Sequence, residues 1–482
     1  MAAFSATADG QLVIDSPPTV IPYQGGSSYF LENGAILNAY EGAQIHARLS
    51  VQEGTLNLFG AELSQGVGAG SGAVVNIYDG NISGGITQEY FMSTGSTTTI
   101  RGGRFSGTML KQIGATLIIE GVDFALDGEP VPGLVSPGDE TSVIIPEETL
   151  FTGVLSNGAP FTFDRDVASG DRLFGEVILR QSARPVGPAE INVPSDPMPP
   201  GVLPGQTLNV QAGATLPEAM NAAPGSVVNF EGGEAGLFEL YRAEVNVNSG
   251  NVWRLQGYAN STIRINGGAV TGVSDVDDST VIVNGGTLGS LSVAPGNHIE
   301  INGGTIERLR FSRIGAEAMM RGGTITHEVF LSGGATFHVL GGTIERTLRI
   351  PSGDHIIVSG GTVASIGHIN TLSGAELTLR GRAFTLDGQP IPGLSRPGDS
   401  LILTDRPDQT LNAILADGLP LNIYVGTVFQ QLPVRDRISP ASTLRLILVP
   451  EPATLAISLA IFIAGALIHC QQRTDSRSEQ SS

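Results

Sequence analysis

The stretch that decides the fold is Ile301-Asn302-Gly303-Gly304-Thr305-Ile306, one of six related copies in the chain. The first glycine of the copies lies at positions 267, 285, 303, 322, 341 and 360, so consecutive copies are 18 or 19 residues apart. Each copy has three short apolar patches separated by turn residues, which predicts three short strands per repeat. A repeat of this length and content predicts one turn, called a coil below, of a parallel β-solenoid.

Stacked coils place equivalent residues above one another at the strand spacing of about 4.8 Å. The repeat therefore predicts an asparagine ladder of Asn266, Asn284 and Asn302. It also predicts a threonine ladder, which contains Thr287, Thr305, Thr324, Thr343 and Thr362. The glycine pair is expected at a corner of each coil, where a side chain or a negative φ would not fit.

A longer duplication lies above the coils. Leu126-Asp127-Gly128-Glu129-Pro130 recurs as Leu386-Asp387-Gly388-Gln389-Pro390, an offset of 260 residues. We interpret the two copies as modules that cover the apolar end of a solenoid. The proline-rich segment 185–205 between them is interpreted as a linker.

The predicted fold is all-β, with two parallel β-helix or β-solenoid units in series, each with a C-terminal β cap module, plus one C-terminal transmembrane helix. The predicted boundaries are 1–8 for the remnant of a signal peptide, 9–126 for solenoid unit 1, 127–184 for cap module 1, 185–205 for the linker, 206–385 for solenoid unit 2, 386–448 for cap module 2 and 449–482 for a sorting signal with the helix at 453–470.

The C-terminal segment carries the most specific motif. Pro450-Glu451-Pro452 precedes an apolar run at 453–470, and Arg473 and Arg477 follow it. The run is long enough to span a bilayer, and the arginines favour a cytoplasmic end. The pattern resembles PEP-CTERM sorting domains, also known as the ice-binding protein C-terminal domain. The resemblance implies that Pro450, Glu451 and Pro452 are recognised by an exosortase-type membrane enzyme.

This resemblance implies export, insertion of the C-terminal segment into the inner membrane with the body outside, and then release to the cell envelope or extracellular matrix. At the other end, Ala6-Thr7-Ala8 has the small-x-small form of a signal-peptidase site without an apolar stretch before it. We therefore expect the true start to lie upstream, so that residues 1–8 are the remnant of a signal peptide.

Composition limits the partners. The formal net charge is −20 and Lys111 is the single lysine, so a nucleic acid partner is not expected. The solenoid also broadly resembles pectate-lyase-type β-helices, a likeness of fold that says little about activity. Sugar-binding clefts commonly use aromatic platforms, yet Trp253 is the single tryptophan.

No constellation for catalysis, a cofactor or a metal is evident in the sequence. His298 and His355 share a register but lie three coils apart, too far to share an ion. His327, His338 and His368 occupy other registers, and all five are expected to face solvent. Residues 275–278 (Asp-Val-Asp-Asp) lack the spacing of a calcium loop, which favours an acidic turn.

These observations predict a structural or adhesive envelope protein, sorted through its C-terminal signal, that is not an enzyme and binds no cofactor. Its expected partners are the exosortase-type enzyme and either extracellular polysaccharide or envelope proteins. Two alternatives stay open. One is a β-helical protein that binds or degrades polysaccharide. The other is ice binding, which the threonine ladder suggests.

Overall fold

The computed structural model describes twelve ranges of the chain, which are 11–14, 20–21, 28–82, 90–105, 108–164, 171–217, 219–312, 314–349, 353–366, 374–404, 409–425 and 442–451. Within these ranges the chain forms strands and turns and no helix. It divides into two compact units, Met1–Ile282 and Val283–Ser482.

The strands before the proline-rich segment are β1 (Gln11–Ile14), β2 (Val20–Ile21), β3 (Ser28–Leu31), β4 (Ile36–Tyr40), β5 (Gln44–Ile45), β6 (Arg48–Val51), β7 (Thr55–Leu63), β8 (Val67–Ala69), β9 (Val74–Ile82), β10 (Tyr90–Met92), β11 (Thr97–Ile100), β12 (Arg104–Phe105), β13 (Met109–Lys111), β14 (Thr116–Leu126), β15 (Glu129–Pro130), β16 (Glu140–Ile144), β17 (Leu150–Leu155), β18 (Pro160–Asp164), β19 (Arg172–Leu173) and β20 (Glu176–Gln181).

The strands that follow are β21 (Glu190–Val193), β22 (Thr207–Gln211), β23 (Ala219–Ala222), β24 (Val227–Tyr241), β25 (Glu244–Tyr258), β26 (Thr262–Ile265), β27 (Ala269–Val276), β28 (Thr280–Val283), β29 (Thr287–Val293), β30 (His298–Ile301), β31 (Thr305–Phe311), β32 (Glu317–Met320), β33 (Thr324–Phe330), β34 (Thr336–Val339), β35 (Thr343–Arg349), β36 (His355–Val358), β37 (Thr362–Ile366), β38 (Glu376–Leu386), β39 (Gln389–Pro390), β40 (Ser400–Ile402), β41 (Gln409–Leu415), β42 (Pro420–Val425) and β43 (Thr443–Leu448).

Parallel pairing between equivalent strands of successive coils builds both units. In the first unit, β4, β7, β9, β11 and β14 stack in one sheet, and β3, β6, β8, β10, β13 and β19 stack in another. In the second unit, β29, β31, β33, β35 and β37 form one stack, and β30, β32, β34, β36, β38 and β43 form another. Alternate residues point inward, so Ile299, Ile301, Ile306, Leu309 and Phe311 are all buried.

The coils of the second unit contain two strands each, one of four residues and one of five or seven, rather than the three that the apolar patches predicted. The second and third patches lie on one strand, as Ile306 and Leu309 do on β31. The register between β31 and β33 shifts between Ile306 and Arg308, which marks an irregularity where the third strand was expected to begin.

The glycine pair occupies the predicted corner. A Cβ on Gly303 would collide with the backbone carbonyl oxygen of Asn284 in the preceding coil. Gly304 adopts a φ of 77°, which side-chain-bearing residues rarely adopt. The two glycines therefore meet different requirements, close approach for the first and a left-handed backbone for the second.

The two duplicated modules have the same topology. In the first, β14 pairs antiparallel with β15 and β17, and β20 pairs with both β14 and β16. In the second, β38 takes the place of β14, and β39, β41, β43 and β40 take the places of β15, β17, β20 and β16. Each module thus adds an antiparallel hairpin and a returning strand to the last coil of a stack.

The prediction of two solenoid units joined by a linker is wrong. The strands of the described ranges form a single β-solenoid of about 17 turns. Strand β21 lies inside the segment 185–205 and pairs in parallel with β22, and coils on both sides of it belong to the first compact unit. The prediction relied on the proline content of the whole segment. The four residues of β21 contain no proline, so every N–H group of that strand can pair.

The predicted C-terminal helix is not part of the fold that the structure shows. The described ranges hold no helix of sufficient length and apolar character to cross a membrane. The segment predicted to be that helix, 453–470, lies outside the described residues, as does the predicted signal-peptide remnant at 1–8.

Candidate ligand-binding face

An aromatic column lies on the outer face of β4, β7 and β9. The rings of Tyr40 and Phe59 stack with centroids 5.0 Å apart, and those of Phe59 and Tyr78 stack at 4.7 Å. The guanidinium of Arg101 lies 5.0 Å from the centroid of Tyr78. Both faces of Phe59 and of Tyr78 are therefore covered, and the ring edges are the parts that reach solvent.

The column continues as a chain of ion pairs. Arg101 donates two hydrogen bonds to the carboxylate of Glu120, at 2.8 and 3.0 Å. Arg180 Nη1 donates to the same carboxylate at 2.6 Å, and its Nη2 donates to Glu140 at 2.8 Å. These two carboxylates raise the pKa of Arg180. The face therefore changes from aromatic to charged along successive coils.

An amide column runs beside the aromatic one, two residues earlier on the same strands. Asn57 donates to the Oδ1 of Asn38 at 2.7 Å, and Asn76 donates to the Oδ1 of Asn57 at 2.8 Å. Because residues i and i+2 of a strand share a face, the amides and the rings form one surface. Ile36 and Val74, another two residues earlier, are exposed on it as well. This surface, called the aromatic face below, offers the half-buried amides of Asn57 and Asn76 between two apolar borders, while Asn38 is buried.

The tryptophan content of the chain did not predict the aromatic face, because its rings are those of tyrosine and phenylalanine. A signal was present, since Tyr40, Phe59 and Tyr78 are spaced by 19 residues, the length of a coil. The single tryptophan, Trp253, is exposed on β25 with the guanidinium of Arg254 at 5.6 Å from its ring. Its ring contacts that guanidinium, whereas the three smaller rings form a column.

The predicted ladders are largely present. Asn302 donates to the Oδ1 of Asn284 at 3.1 Å, while Asn266 donates to Asn248 at 2.9 Å. The threonine ladder is confirmed in full, because the strand register pairs each of its members with the next, from Thr287 through Thr305, Thr324 and Thr343 to Thr362.

The threonine ladder is a single column of hydroxyls. The position two residues later on the same strands holds Gly289, Glu307 and Thr326, so no second hydroxyl column runs beside it. An ice-binding face presents regular rows of hydroxyls and methyls. The threonines pair across neighbouring strands, for which a β-branched residue is well suited.

The histidines do not converge. His298 and His355 lie on β30 and β36, three strands apart in one stack, and each is exposed, as is His327. His338 is half-buried, with its Nε2 3.3 Å from a carboxylate oxygen of Glu317. Nowhere in the described ranges do three His, Cys, Asp or Glu side chains come together to hold a metal ion. His368 lies outside those ranges.

The acidic segment 275–278 ends β27 in an exposed turn. The carbonyl oxygens of Asp277 and Asp278 accept hydrogen bonds from the N–H groups of Ala259 and Asn260 in the preceding coil. Asp278 has a φ of 44°. Asp277 and Asp278 therefore lie in an exposed bend after β27, whereas Asp275 and Val276 belong to the strand itself.

The lone lysine points inward. Lys111 on β13 is buried, and its Nζ donates a hydrogen bond to the carbonyl oxygen of Phe174 at 2.7 Å. Burial lowers its pKa. Asp171 lies on the same side of the coil, accepts a hydrogen bond from the N–H of Met109 at 2.6 Å, and is also buried. Burial raises the pKa of Asp171 to about 7.

Asp171 is expected to make stability depend on pH. An unfolded aspartate releases its proton near pH 3.9, well below the folded group. The free energy of unfolding is therefore highest below pH 4, falls as the pH rises, and has lost this contribution above pH 7. Asp171→Asn cannot ionise, so we expect it to be about 4 kcal/mol more stable than the parent at pH 8 and equal to it at pH 4.

The measurement is thermal unfolding of both proteins at pH 4, 6 and 8. Asp278→Asn is the matched control, since this aspartate is exposed and lies outside the surroundings of Asp171. A parent and an Asp171→Asn variant with the same pH dependence would show that the Asp171 carboxyl is ionised in the folded protein at little cost.

Comparison of the chain with protein-family models, curated proteins and solved structures found no match. The functional assignment therefore rests on the sequence and on the geometry above.

Proposed function

We propose that the protein is an exported structural or adhesive component of the cell envelope or extracellular matrix. The observation that carries this proposal is the aromatic face, where side chains repeat coil after coil on a rigid parallel sheet. A face of this kind suits repeated contacts with a polymer or a partner protein better than it suits a single bound molecule.

Sorting is proposed to depend on Pro450, Glu451 and Pro452, read by an exosortase-type membrane enzyme. Strand β43 ends at Leu448, and the N–H of Val449 donates to the carbonyl oxygen of Gly381, so the motif begins where the described pairing ends. Glu451 is exposed. Pro452, Arg473 and Arg477 lie outside the described residues.

Mass spectrometry of the two ends of the native protein tests sorting. We expect a mature C-terminus close to Pro450 and a mature N-terminus close to Asp9. A Glu451→Ala variant should keep its C-terminal segment, while Glu317→Ala, in an exposed position on β32, should be processed normally. A mature protein that still contains Arg477 would refute sorting by cleavage.

Binding of polysaccharide is the second candidate, favoured by the same face. The half-buried amides of Asn57 and Asn76 are suited to hydrogen bonds with sugar hydroxyls, and the ring edges with Ile36 and Val74 are suited to apolar contacts. The covered ring faces of Phe59 and Tyr78 exclude the usual stacking of a sugar ring on them. We therefore expect each contact with the polymer to be weak and the overall affinity to come from repeated contacts. We expect no turnover of the polymer.

A glycan array read alongside depolymerisation assays separates these functions. Asn57→Asp removes the donor in the middle of the amide column and is expected to abolish polysaccharide binding by this face. Asn302→Asp makes the same change in a ladder of the second unit and is the matched control. Binding that both variants retain would place the glycan elsewhere, and turnover of any polymer would overturn the proposal of a structural role.

A further inference from the structure

Strand β16 forms an open edge of the first duplicated module. It pairs antiparallel with β20, and within the described ranges no other strand pairs with it. The side chains of Glu140, Ser142 and Ile144 are exposed, and that of Ile144 is 64% exposed. The unpaired side of an edge strand presents backbone N–H and C=O groups that can pair with a strand of another chain.

The pairing with β20 shows which backbone groups point outward. The N–H of Gln181 donates to the carbonyl oxygen of Asp139 at 2.8 Å. Hydrogen-bonded pairs alternate along an antiparallel ladder, so the backbone groups of Thr141 and Val143 also point to β20. The backbone groups that point away from the module are those of the remaining residues of β16, Glu140, Ser142 and Ile144.

A second edge of the same compact unit shows how this chain closes such a position. Strand β21 lies at the end of its sheet, and β22 is its one partner among the described strands. The N–H of Asn192 donates to the carboxylate of Asp196 at 2.7 Å, and the N–H of Asp196 donates to the carbonyl oxygen of Asn192 at 2.7 Å. The turn after β21 therefore bonds to the edge of that strand. In the part of the chain that the structure describes, no turn bonds to the outward backbone groups of β16.

We propose that β16 pairs antiparallel with β16 of a second copy of this chain, about a two-fold axis at Ser142. In this register Ser142 lies opposite Ser142 of the second copy, and Glu140 lies opposite Ile144. Because all three residues have outward backbone groups, each pair exchanges two hydrogen bonds. The contact joins the sheets of the two copies into one.

Charge selects this register. A register centred on Glu140 would place two carboxylates opposite each other, which destabilises a sheet. In the proposed register Glu140 lies opposite an isoleucine, and its carboxylate still accepts hydrogen bonds from Nε and Nη2 of Arg180 at 3.1 and 2.8 Å. On the other face Thr141 lies opposite Val143, a pair of β-branched residues that suits a sheet. Val143 already packs against the core, so the second copy extends an apolar contact.

The contact is short and closes on itself. Pro146 is the next residue whose backbone would point outward, and it has no N–H, so the ladder ends at Ile144. Both copies use the same strand, so the contact is isologous and leaves no β16 edge for a third copy. A small contact of this kind favours reversible dimers.

Disulfide trapping tests the two-fold axis. In full-length chains with Cys470→Ser, Ser142→Cys places two thiols on residues whose Cα atoms lie about 5.5 Å apart, within the range of a disulfide. Ile144→Cys is the matched control, because its two thiols would lie on Cα atoms more than about 13 Å apart along the strands. Under mild oxidation we expect Ser142→Cys to form covalent dimers at least about tenfold faster than Ile144→Cys. Equal rates, or no dimer from Ser142→Cys, would overturn the proposal.

Sedimentation velocity supplies the second test. Ser142→Pro removes an outward N–H from the centre of the contact and should weaken dimerisation of the full chain at least about tenfold. Ile402→Pro makes the same change on β40, the equivalent strand of the second module, and should leave dimerisation unchanged. Circular dichroism checks that both variants keep the strand content of the parent. Equal weakening by the two variants would indicate that β16 pairs with β40 of the second copy, and this result would contradict the proposed contact.

Hydrogen exchange identifies what occupies the edge. The N–H groups of β16 should become more protected as the concentration of the protein rises. Protection that does not depend on concentration would assign the edge to another segment of the same chain, and would overturn the proposal. A parent that stays monomeric at high micromolar concentration would also overturn it. None of these results bears on export or on polysaccharide binding.

Discussion

Phe151→Ala is expected to lower the free energy of unfolding of the first module by about 3–5 kcal/mol. The ring is fully buried and lies 5.2 Å from that of Phe161, in a cluster that also contains Phe124 and Phe163. Removing it deletes buried apolar surface and leaves a cavity among three rings that cannot all move inward. The loss is expected in the hairpin β17–β18 first.

The measurement is hydrogen exchange of β14, β17 and β18 together with chemical denaturation, because repeat proteins often unfold in parts. Phe151→Leu introduces a leucine, which the second module has at the equivalent position, Leu411. We expect it to lower the free energy of unfolding by about 1 kcal/mol. Val135→Ala, at a position 84% exposed, is the control and should change stability by less than about 0.5 kcal/mol. A Phe151→Ala loss no larger than that of the control would show that the cluster adds little to stability.

Gly304→Ala is expected to lower the free energy of unfolding by about 3 kcal/mol. The glycine has a φ of 77°, and its Cβ would lie 2.7 Å from the carbonyl oxygen of Gly285 in the preceding coil. An alanine therefore strains the backbone and also pushes two coils apart. Hydrogen exchange of the neighbouring strands β29 and β31 should rise together with the loss of stability.

Gly315→Ala separates the two causes. Gly315 has a φ of 84°, close to that of Gly304, but a Cβ there would meet nothing within 4 Å. We expect Gly315→Ala to lower the free energy of unfolding by about 1 kcal/mol, from the backbone strain alone. If the two variants lost the same stability, the coils would have room to separate, and the close approach at the glycine pair would not be a requirement of the fold.

The repeat in the sequence was sufficient to predict the coils. A solenoid places each coil only against its neighbours, so a constant spacing converts directly into a column of equivalent residues. This is why Thr305 and Thr324 pair as predicted, and why Asn302 reaches Asn284. The same rule applies to the aromatic face, since Tyr40, Phe59 and Tyr78 keep the spacing of a coil.

The number of strands per coil did not follow from the repeat. Apolar patches separated by two or three residues look alike whether the chain turns between them or bends within one strand. The backbone conformation at Glu307 and Arg308 decides between these cases, and the sequence pattern does not report it.

What the sequence by itself determined is therefore local and periodic, namely the coil, its ladders and the duplicated module. The tertiary structure alone decided that the proline-rich segment continues the solenoid, and that Val154 is covered while Ile414, its equivalent in the second module, is open. Both depend on which surfaces meet after the chain has folded. Apolar residues at equivalent positions have the same pattern in the sequence, and burial differs because a neighbouring segment covers one of them and not the other.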